Sequence, residues 1–354
     1  MRNRTFEDNG SATTSPLEVA RDVYRLAVPV MLVACLTSML FNLLIVESVR
    51  WLRRSPSPTL CFSLSLSAAN AYASLVVGVG LVVNSLLPAV YHVQPPICVS
   101  LSLEAFRLTG LIASVLHLLA LAVNHYIGIL RPLHYAATVT RRTVWLATAA
   151  MWVFPLAFFL VYFSSVPGQG FQSPDCSYEF ILWSTFRVTL SCLFFLPLVI
   201  MSAIYAHIFI LVRRHQQGAG LSAQVPNQLR KSVKAVHTTL LILGTYLLGW
   251  VPAVLFYVLT CLDCALPITS LPLDVRLTFG ILTNSLVLLK SFADPVIYVV
   301  RMRDIQDAFR LMWKSRCGLV KATRSADLLR LAHSRSDTQR ITTNGSQKKR
   351  LQMS

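Results

Sequence analysis

Charge is scarce in this sequence. Only 13% of its 354 residues are Asp, Glu, Lys or Arg, and acidic side chains are the scarcer kind, 15 against 32 basic ones. A soluble domain could not hide a chain that is 55% hydrophobic behind so few charges, so a soluble fold is excluded. A glycine-rich phosphate loop, a cluster of metal ligands and the turn that presents a catalytic nucleophile are all missing, so no enzyme, metal or cofactor constellation is legible. Inverted repeats and paired broken helices, the marks of a transporter, are missing too. No short secretory signal opens the chain: the first apolar run follows a polar leader and is long enough to be a span itself.

What is there is apolar length. Seven runs, centred near Met39, Val76, Leu116, Pro155, Pro197, Gly249 and Leu286, are each about long enough to cross a bilayer as a helix. The predicted fold class is an all-α membrane protein, a seven-transmembrane helix bundle with a short amphipathic helix after the seventh span. A net charge of +17 would suit a nucleic-acid partner, but the basic residues are sorted by loop. Arg50, Arg53 and Arg54 follow the first span, Arg141 and Arg142 precede the fourth, and Arg213, Arg214, Arg230, Lys231 and Lys234 lie between the fifth and sixth. The run from Phe163 to Trp183 carries almost none. The positive-inside rule therefore puts the N-terminus outside and the C-terminus in the cytosol, and no nucleic-acid partner is needed. The chain divides into an extracellular tail (1–23) with glycosylation acceptors at Asn3 and Asn9, the seven-span domain (24–300), a membrane-surface helix (301–317) and a disordered cytosolic tail (318–354).

Polar residues inside spans are costly and mark packing contacts or function. Asn42 on the first span is predicted to hydrogen-bond to the second and seventh, and Asn70 is a second buried amide. The third span carries Glu104 and Arg107 on one helical face, then Ser114, and ends in Asn124-His125-Tyr126. On the seventh span, Lys290-Ser291-Phe292-Ala293-Asp294-Pro295-Val296-Ile297-Tyr298 sets a lysine one helical turn before an aspartate, so the two are expected to pair. Cys35, Cys61 and Cys192 fall within spans and read as small packing residues. Cys98, Cys176, Cys261 and Cys264 fall at the oxidising face. Beyond the last span, Ile305, Phe309, Met312 and Trp313 share a face while Arg303, Arg310 and Lys314 lie off it. That is a membrane-surface helix closed by Cys317, a palmitoylation candidate.

Taken in order, one to a helix, Asn42, Trp152, Pro197 with Tyr205, Trp250-Val251-Pro252 and Asp294-Pro295-Val296-Ile297-Tyr298 resemble the motifs of the rhodopsin-like, class A G-protein-coupled receptors. The resemblance covers about Tyr24 to Cys317. It implies a bundle that binds an extracellular ligand and opens a cytosolic cleft to a heterotrimeric G protein, with arrestin and receptor kinases acting on the tail and membrane lipids around the spans. By that resemblance Glu104, Arg107, Trp250, Tyr257 and Asn284 line the ligand site. Asn124, His125, Tyr126, Tyr205, Pro295 and Tyr298 serve activation and coupling, and Cys98 bridges to Cys176. Cys261 and Cys264 lack further ligands for zinc and read as a short loop disulfide.

The chain departs from the family at telling places. Asn124-His125-Tyr126 replaces the usual Asp-Arg-Tyr, so no guanidinium reaches towards Tyr205 and Tyr298, and the sixth helix starts without an acidic partner. This leaves a non-coupling decoy or partner protein as the alternative to a signalling receptor, ahead of a transporter. Asn70 and Asp294 exchange the family's aspartate and asparagine. Where most members hold a sodium ion, Asn70, Ser114, Ser291 and Asp294 are joined by Lys290, which is expected to take the ion's place. An opsin's Schiff-base lysine would stand at Leu288, and the aspartate that binds simple amines would stand at Arg107, so neither ligand is favoured.

Overall fold

The computed structural model describes residues 16–52, 55–218 and 227–316. Asn3, Asn9, Cys317 and the tail from 318 onward lie outside the described residues. In chain order the helices are α1 (Pro16–Ser48), α2 (Pro58–Leu81), α3 (Leu87–Tyr91), α4 (Ile97–Leu130), α5 (Tyr135–Thr138), α6 (Arg141–Ser165), α7 (Ser184–Gly218), α8 (Asn227–Leu259), α9 (Leu273–Arg301) and α10 (Arg303–Arg316). A π turn, Val82–Leu86, joins α2 to α3 as one rod, and no strand occurs among the described residues.

Six stretches are long and apolar enough to cross a membrane: α1, α2 with α3, α4, α6, α7 and α9. On α8 the described apolar stretch is Leu243–Leu259, and it lies within the seventh apolar run. Helices suit a lipid solvent because each satisfies its own backbone. Prolines sit inside α1, α6, α7, α8 and α9, at Pro29, Pro155, Pro197, Pro252 and Pro295. Helix α4 stops at Leu130, one residue before the expected limit, because a residue ahead of a proline is pushed out of the helical region: Arg131, before Pro132, has φ −128° and ψ 60°.

Burial on α1 has the inverted pattern of a membrane helix. Val28, Met31, Cys35, Ser38, Asn42 and Ile45 are buried, whereas Leu26, Val30, Val33, Leu36, Leu40 and Leu43 form the exposed stripe. Both sets repeat every three or four residues, and the polar members are all on the inner one. Val28, Met31 and Cys35 pack with Val77 and Leu81 of α2 and Leu288 of α9. Cys35 is thus the packing residue expected, but Cys192 is exposed and fills no core position. Its place in the repeat of α7 turns it outward. Helix α4 is the central rod: 67% of its apolar window is buried, against 22–33% for the other spans. Glycines bring helices close where this matters. A Cβ on Gly110 of α4 would stand 2.9 Å from the Tyr72 ring, and one on Gly249 of α8 would stand 3.0 Å from Lys290 Cβ.

A second, smaller unit comprises 48–55 and the chain from Met302. In it α10 packs against the 3-10 turn Val49–Trp51. Its buried stripe is Ile305, Ala308 and Met312, with Phe309 half-buried and Trp313 64% exposed. The expected apolar face is therefore split. At 100° per residue Trp313 points a third of a turn away from Met312, so one stripe packs on protein and the other is open.

Candidate functional site

Three polar groups stand out in the bundle: at mid-depth, near the start of α4 and α7 with the end of α8, and at the foot of α4. At mid-depth Lys290 and Asp294 lie one turn apart on α9. The ammonium reaches Asp294 Oδ2 at 2.7 Å, with the two side chains 2% and 0% exposed. Asn70 on α2 donates to the same carboxylate oxygen at 2.7 Å, and its own carbonyl accepts from Lys290 Nζ at 3.3 Å and from Ser114 Oγ of α4 at 3.3 Å. The exchange of amide and carboxylate between the second and seventh spans thus keeps them bonded. Asn42 donates to Ser38 O at 2.9 Å and to Ser291 O at 3.0 Å. Its predicted bond to the second span is not made directly. That span is reached through Ser38, whose hydroxyl accepts from Ser74 of α2 at 3.0 Å. The residues do not fit a bound sodium ion, because an ammonium already neutralises the carboxylate that would hold it.

Near the outer end of α4, Arg107 donates side-on to Glu104, from Nε to Oε2 at 2.8 Å and from Nη2 to Oε1 at 2.5 Å. Tyr257 of α8 stands within electrostatic range of Glu104, Arg107 and Arg187. Arg187 was not among the residues singled out from sequence. It is 2% exposed and meets carbonyls, not a carboxylate: Nη1 donates to Tyr257 O at 2.7 Å and to Thr260 O, and Nε donates to Ile181 O at 3.3 Å. Its guanidinium carbon also lies 4.2 Å from the centre of the Tyr257 ring. A cation at the C-terminal carbonyls of α8 is favoured by the helix dipole. The signal available in sequence was an arginine in the first turn of an apolar span.

The loops around this cluster are fixed by packing. Phe159 and Phe163 of α6, Phe180 of the loop between α6 and α7 and Phe186 of α7 are all buried and meet edge to face or tilted. They hold Ile181, whose carbonyl also accepts from Tyr257 OH at 3.1 Å. Cys98 and Cys176 form a disulfide with Cα atoms 5.0 Å apart, as do Cys261 and Cys264 at the same separation. Between the latter two, Asp263 accepts from the backbone N–H of Ser184 at 2.7 Å and from its hydroxyl at 2.5 Å. The Ser184 hydroxyl and N–H hold the Asp263 carboxyl below its usual pKa.

Trp250 and Asn284 are not drawn into this cluster. Trp250 is buried against Phe194 of α7, ring centres 5.0 Å apart, and Phe194 in turn stacks on Tyr246. Asn284 donates to Gly280 O of its own helix at 2.8 Å. On α4 a further node was missed as a unit. Trp152 Nε1 donates to Ser65 Oγ at 3.1 Å, and Ser65 lies 2.7 Å from His117 Nε2, while His117 Nδ1 lies 2.7 Å from Ala113 O. A carbonyl only accepts, so Nδ1 donates to Ala113 O, and the Ser65 hydroxyl bridges Nε2 to the Trp152 indole.

At the foot of α4, Asn124 donates to Thr59 Oγ1 of α2 at 2.9 Å and accepts from Tyr135 of α5 at 2.9 Å. Tyr126 OH lies 3.0 Å from His207 Nδ1 of α7. His125 and Tyr205 are buried, and Pro295 and Tyr298 lie on α9.

A bundle of seven apolar helices, with a polar network closed at mid-depth and a disulfide tying the third span to the loop after the fourth, is the architecture of a seven-helix membrane receptor. The profile of the family "7 transmembrane receptor (rhodopsin family)" matches residues 41–298, and the chain belongs to that family, the class A G-protein-coupled receptors. It is 26% identical to adenosine receptor A3 of Ovis aries over 301 residues, covering 81% of this chain and 88% of that receptor. It is also 26% identical to trace amine-associated receptor 4 of Mus musculus, covering 80% and 83%, and to melanocortin receptor 5 of Mus musculus, with the same coverage. These relatives bear the names of different ligands at equal identity, so overall similarity selects none of them for this chain.

Proposed function

We propose that this chain is a plasma-membrane receptor, N-terminus outside, that binds an extracellular ligand at Glu104, Arg107, Tyr257, Trp250 and Asn284 and transmits the event to a heterotrimeric G protein. What supports the reading is that one continuous, central helix carries both ends of the path. Glu104 and Arg107 stand near the outer end of α4, and Asn124, His125 and Tyr126 stand at its foot, about 25 Å away at 1.5 Å per residue. Ser114, midway between them, bonds to Asn70 and so joins the Lys290–Asp294 network to the same rod. A shift of α4 at one end must be answered at the other. Tyr205, Pro295 and Tyr298 complete the coupling end. The tail engages arrestin and receptor kinases, α10 and Cys317 hold to membrane lipid, and Asn3 and Asn9 carry glycans.

One observation favours a second reading, a receptor-like protein that pairs with other receptors without coupling. His125 is buried where the family has an arginine, and Asn124 is held by Thr59 and Tyr135, so the foot of α4 offers no guanidinium to a G protein. The test is basal signalling across G-protein classes in transfected cells, with His125→Arg beside the unmutated chain at equal surface expression. A basal signal in one class, raised by His125→Arg, is expected. Silence from both chains would establish the non-coupling reading.

A further inference from the structure

Resting on the ligand site just proposed, we infer that the ligand presents an anionic two-oxygen group, a carboxylate or a group of its shape and charge, to Arg107. Three observations carry this. First, Glu104 occupies only one edge of the guanidinium, the Nε and Nη2 side. The other edge, Nη1 with the second N–H of Nη2, meets no partner among the described residues, and this edge has the fork geometry that matches two oxygens. Second, the Arg107 side chain is 34% exposed although its helix neighbours Ala105 and Leu108 are buried.

Third, the charges differ in depth. Arg187 is buried beside Tyr257, with Arg107 and the carboxylate Glu104 near it; the Asp263 carboxylate, whose charge also acts on Arg187, is exposed and held by Ser184, and Asp175, Glu179 and Asp274 are exposed on the loops and α9. Arg187 is walled in by carbonyls and cannot be reached by a ligand. Its charge is fixed in place and, with Arg107, makes the space beside Tyr257 favourable to an anion. A cation there would meet two guanidiniums and a carboxylate already engaged twice. Val254, buried on α8 within one turn of Tyr257, is apolar, which suits an anion on an apolar body. The head group could belong to a fatty acid or to the free C-terminus of a peptide, two sources of one chemistry.

The test uses the full chain in phosphatidylcholine nanodiscs and follows thermal unfolding with three probes of one skeleton: 4-phenylbutyrate, 4-phenylbutylamine and 4-phenylbutanol. Saturating 4-phenylbutyrate is expected to raise the melting temperature by about 3 °C, and the amine and alcohol by less than about 1 °C. Arg107→Gln should weaken the acid's apparent affinity roughly tenfold or more. Glu104→Gln should strengthen it by removing the competing carboxylate. Two further pairs separate the sources: oleate against oleyl alcohol, and N-acetyl-Phe-Leu against its amide, with the tighter acid naming the source. No shift with any acid overturns the inference. Stabilisation by the amine alone, lost in Glu104→Gln, overturns the inference and leaves the site standing. An acid effect untouched in Arg107→Gln overturns both the inference and the site. If Arg107→Gln does not fold, the Glu104→Gln and amine arms still decide.

Discussion

At mid-bundle Lys290 is 2% exposed and Asp294 0%, whereas in the outer third Arg107 keeps 34% of its side-chain surface and Glu104 19%. Both pairs join one cation to one carboxylate within a helical turn. The inner one is sealed, with Asn70 and Ser114 closing around it and Gly249 letting α8 press against the lysine. The outer one leaves half of a guanidinium open. Sealed charges hold a bundle in one arrangement, because either charge alone would be stranded in a low dielectric. Open charges add little stability and remain free for a partner. One helix bundle thus separates a sealed ion pair from a partly exposed one by depth.

The largest expected effect comes from breaking the sealed pair. Lys290→Ala or Asp294→Ala should cost about 3–5 kcal/mol of stability, while the double change Lys290→Met, Asp294→Leu should recover most of the loss. Thermal unfolding of the purified chain measures both. In the same assay the unmutated protein should melt alike in sodium chloride and choline chloride. Sodium sensitivity should appear only in Lys290→Ala, and a sodium effect on the unmutated chain would show that the lysine does not replace a cation.

Next in size is Arg187→Leu, expected to cost about 2 kcal/mol, because the carbonyls of Ile181, Tyr257 and Thr260 lose a charged donor together. Chymotrypsin nicking of the loop between α8 and α9 should rise with it. A smaller effect is expected at the outer pair itself. A double-mutant cycle on Glu104→Gln and Arg107→Gln should give a coupling under about 1 kcal/mol, and a coupling as large as that of Lys290 and Asp294 would erase the distinction between the two sites.

The smallest effect is a pH dependence confined to the outer loops. Asp263 has its carboxyl pKa lowered by the Ser184 hydroxyl and N–H, so the folded state holds its proton less tightly than the unfolded chain does. Its contribution is complete above the unfolded carboxylate pKa and is lost as pH falls through the lower folded value. Protection factors of the amides at the start of α7, taken relative to the intrinsic rate at each pH, should therefore fall on acidification below about pH 4. Asp263→Asn should exchange faster at neutral pH and lose that acid dependence.

Much of the inner site was legible because its logic is local. Lys290 and Asp294 lie at a spacing that any helix turns into a contact, in a segment whose length requires a helix. Cys98 with Cys176, Asn70 with Asp294 and the order of the motifs followed from the family resemblance, which supplied pairings that spacing alone could not. Arg187 escaped because its partners are backbone carbonyls, which leave no trace in residue identity, and they come from two other segments. The split face of α10 escaped for a related reason: periodicity finds apolar residues, not which stripe of them meets protein.

By itself the sequence determined the span count, the sorting of basic loops and the helix that each polar residue occupies, because hydrophobic length, charge placement and 3.6-residue geometry act along the chain. Only the tertiary structure decided that α4 is the central rod, that Asn124 is held by Thr59 and Tyr135, that Arg187 closes onto α8, and that Arg107 keeps one edge open. Those outcomes depend on which helices come together and how closely, and such contacts between residues as far apart as Arg187 and Thr260 are set by packing across the bundle, not by any interval in the chain.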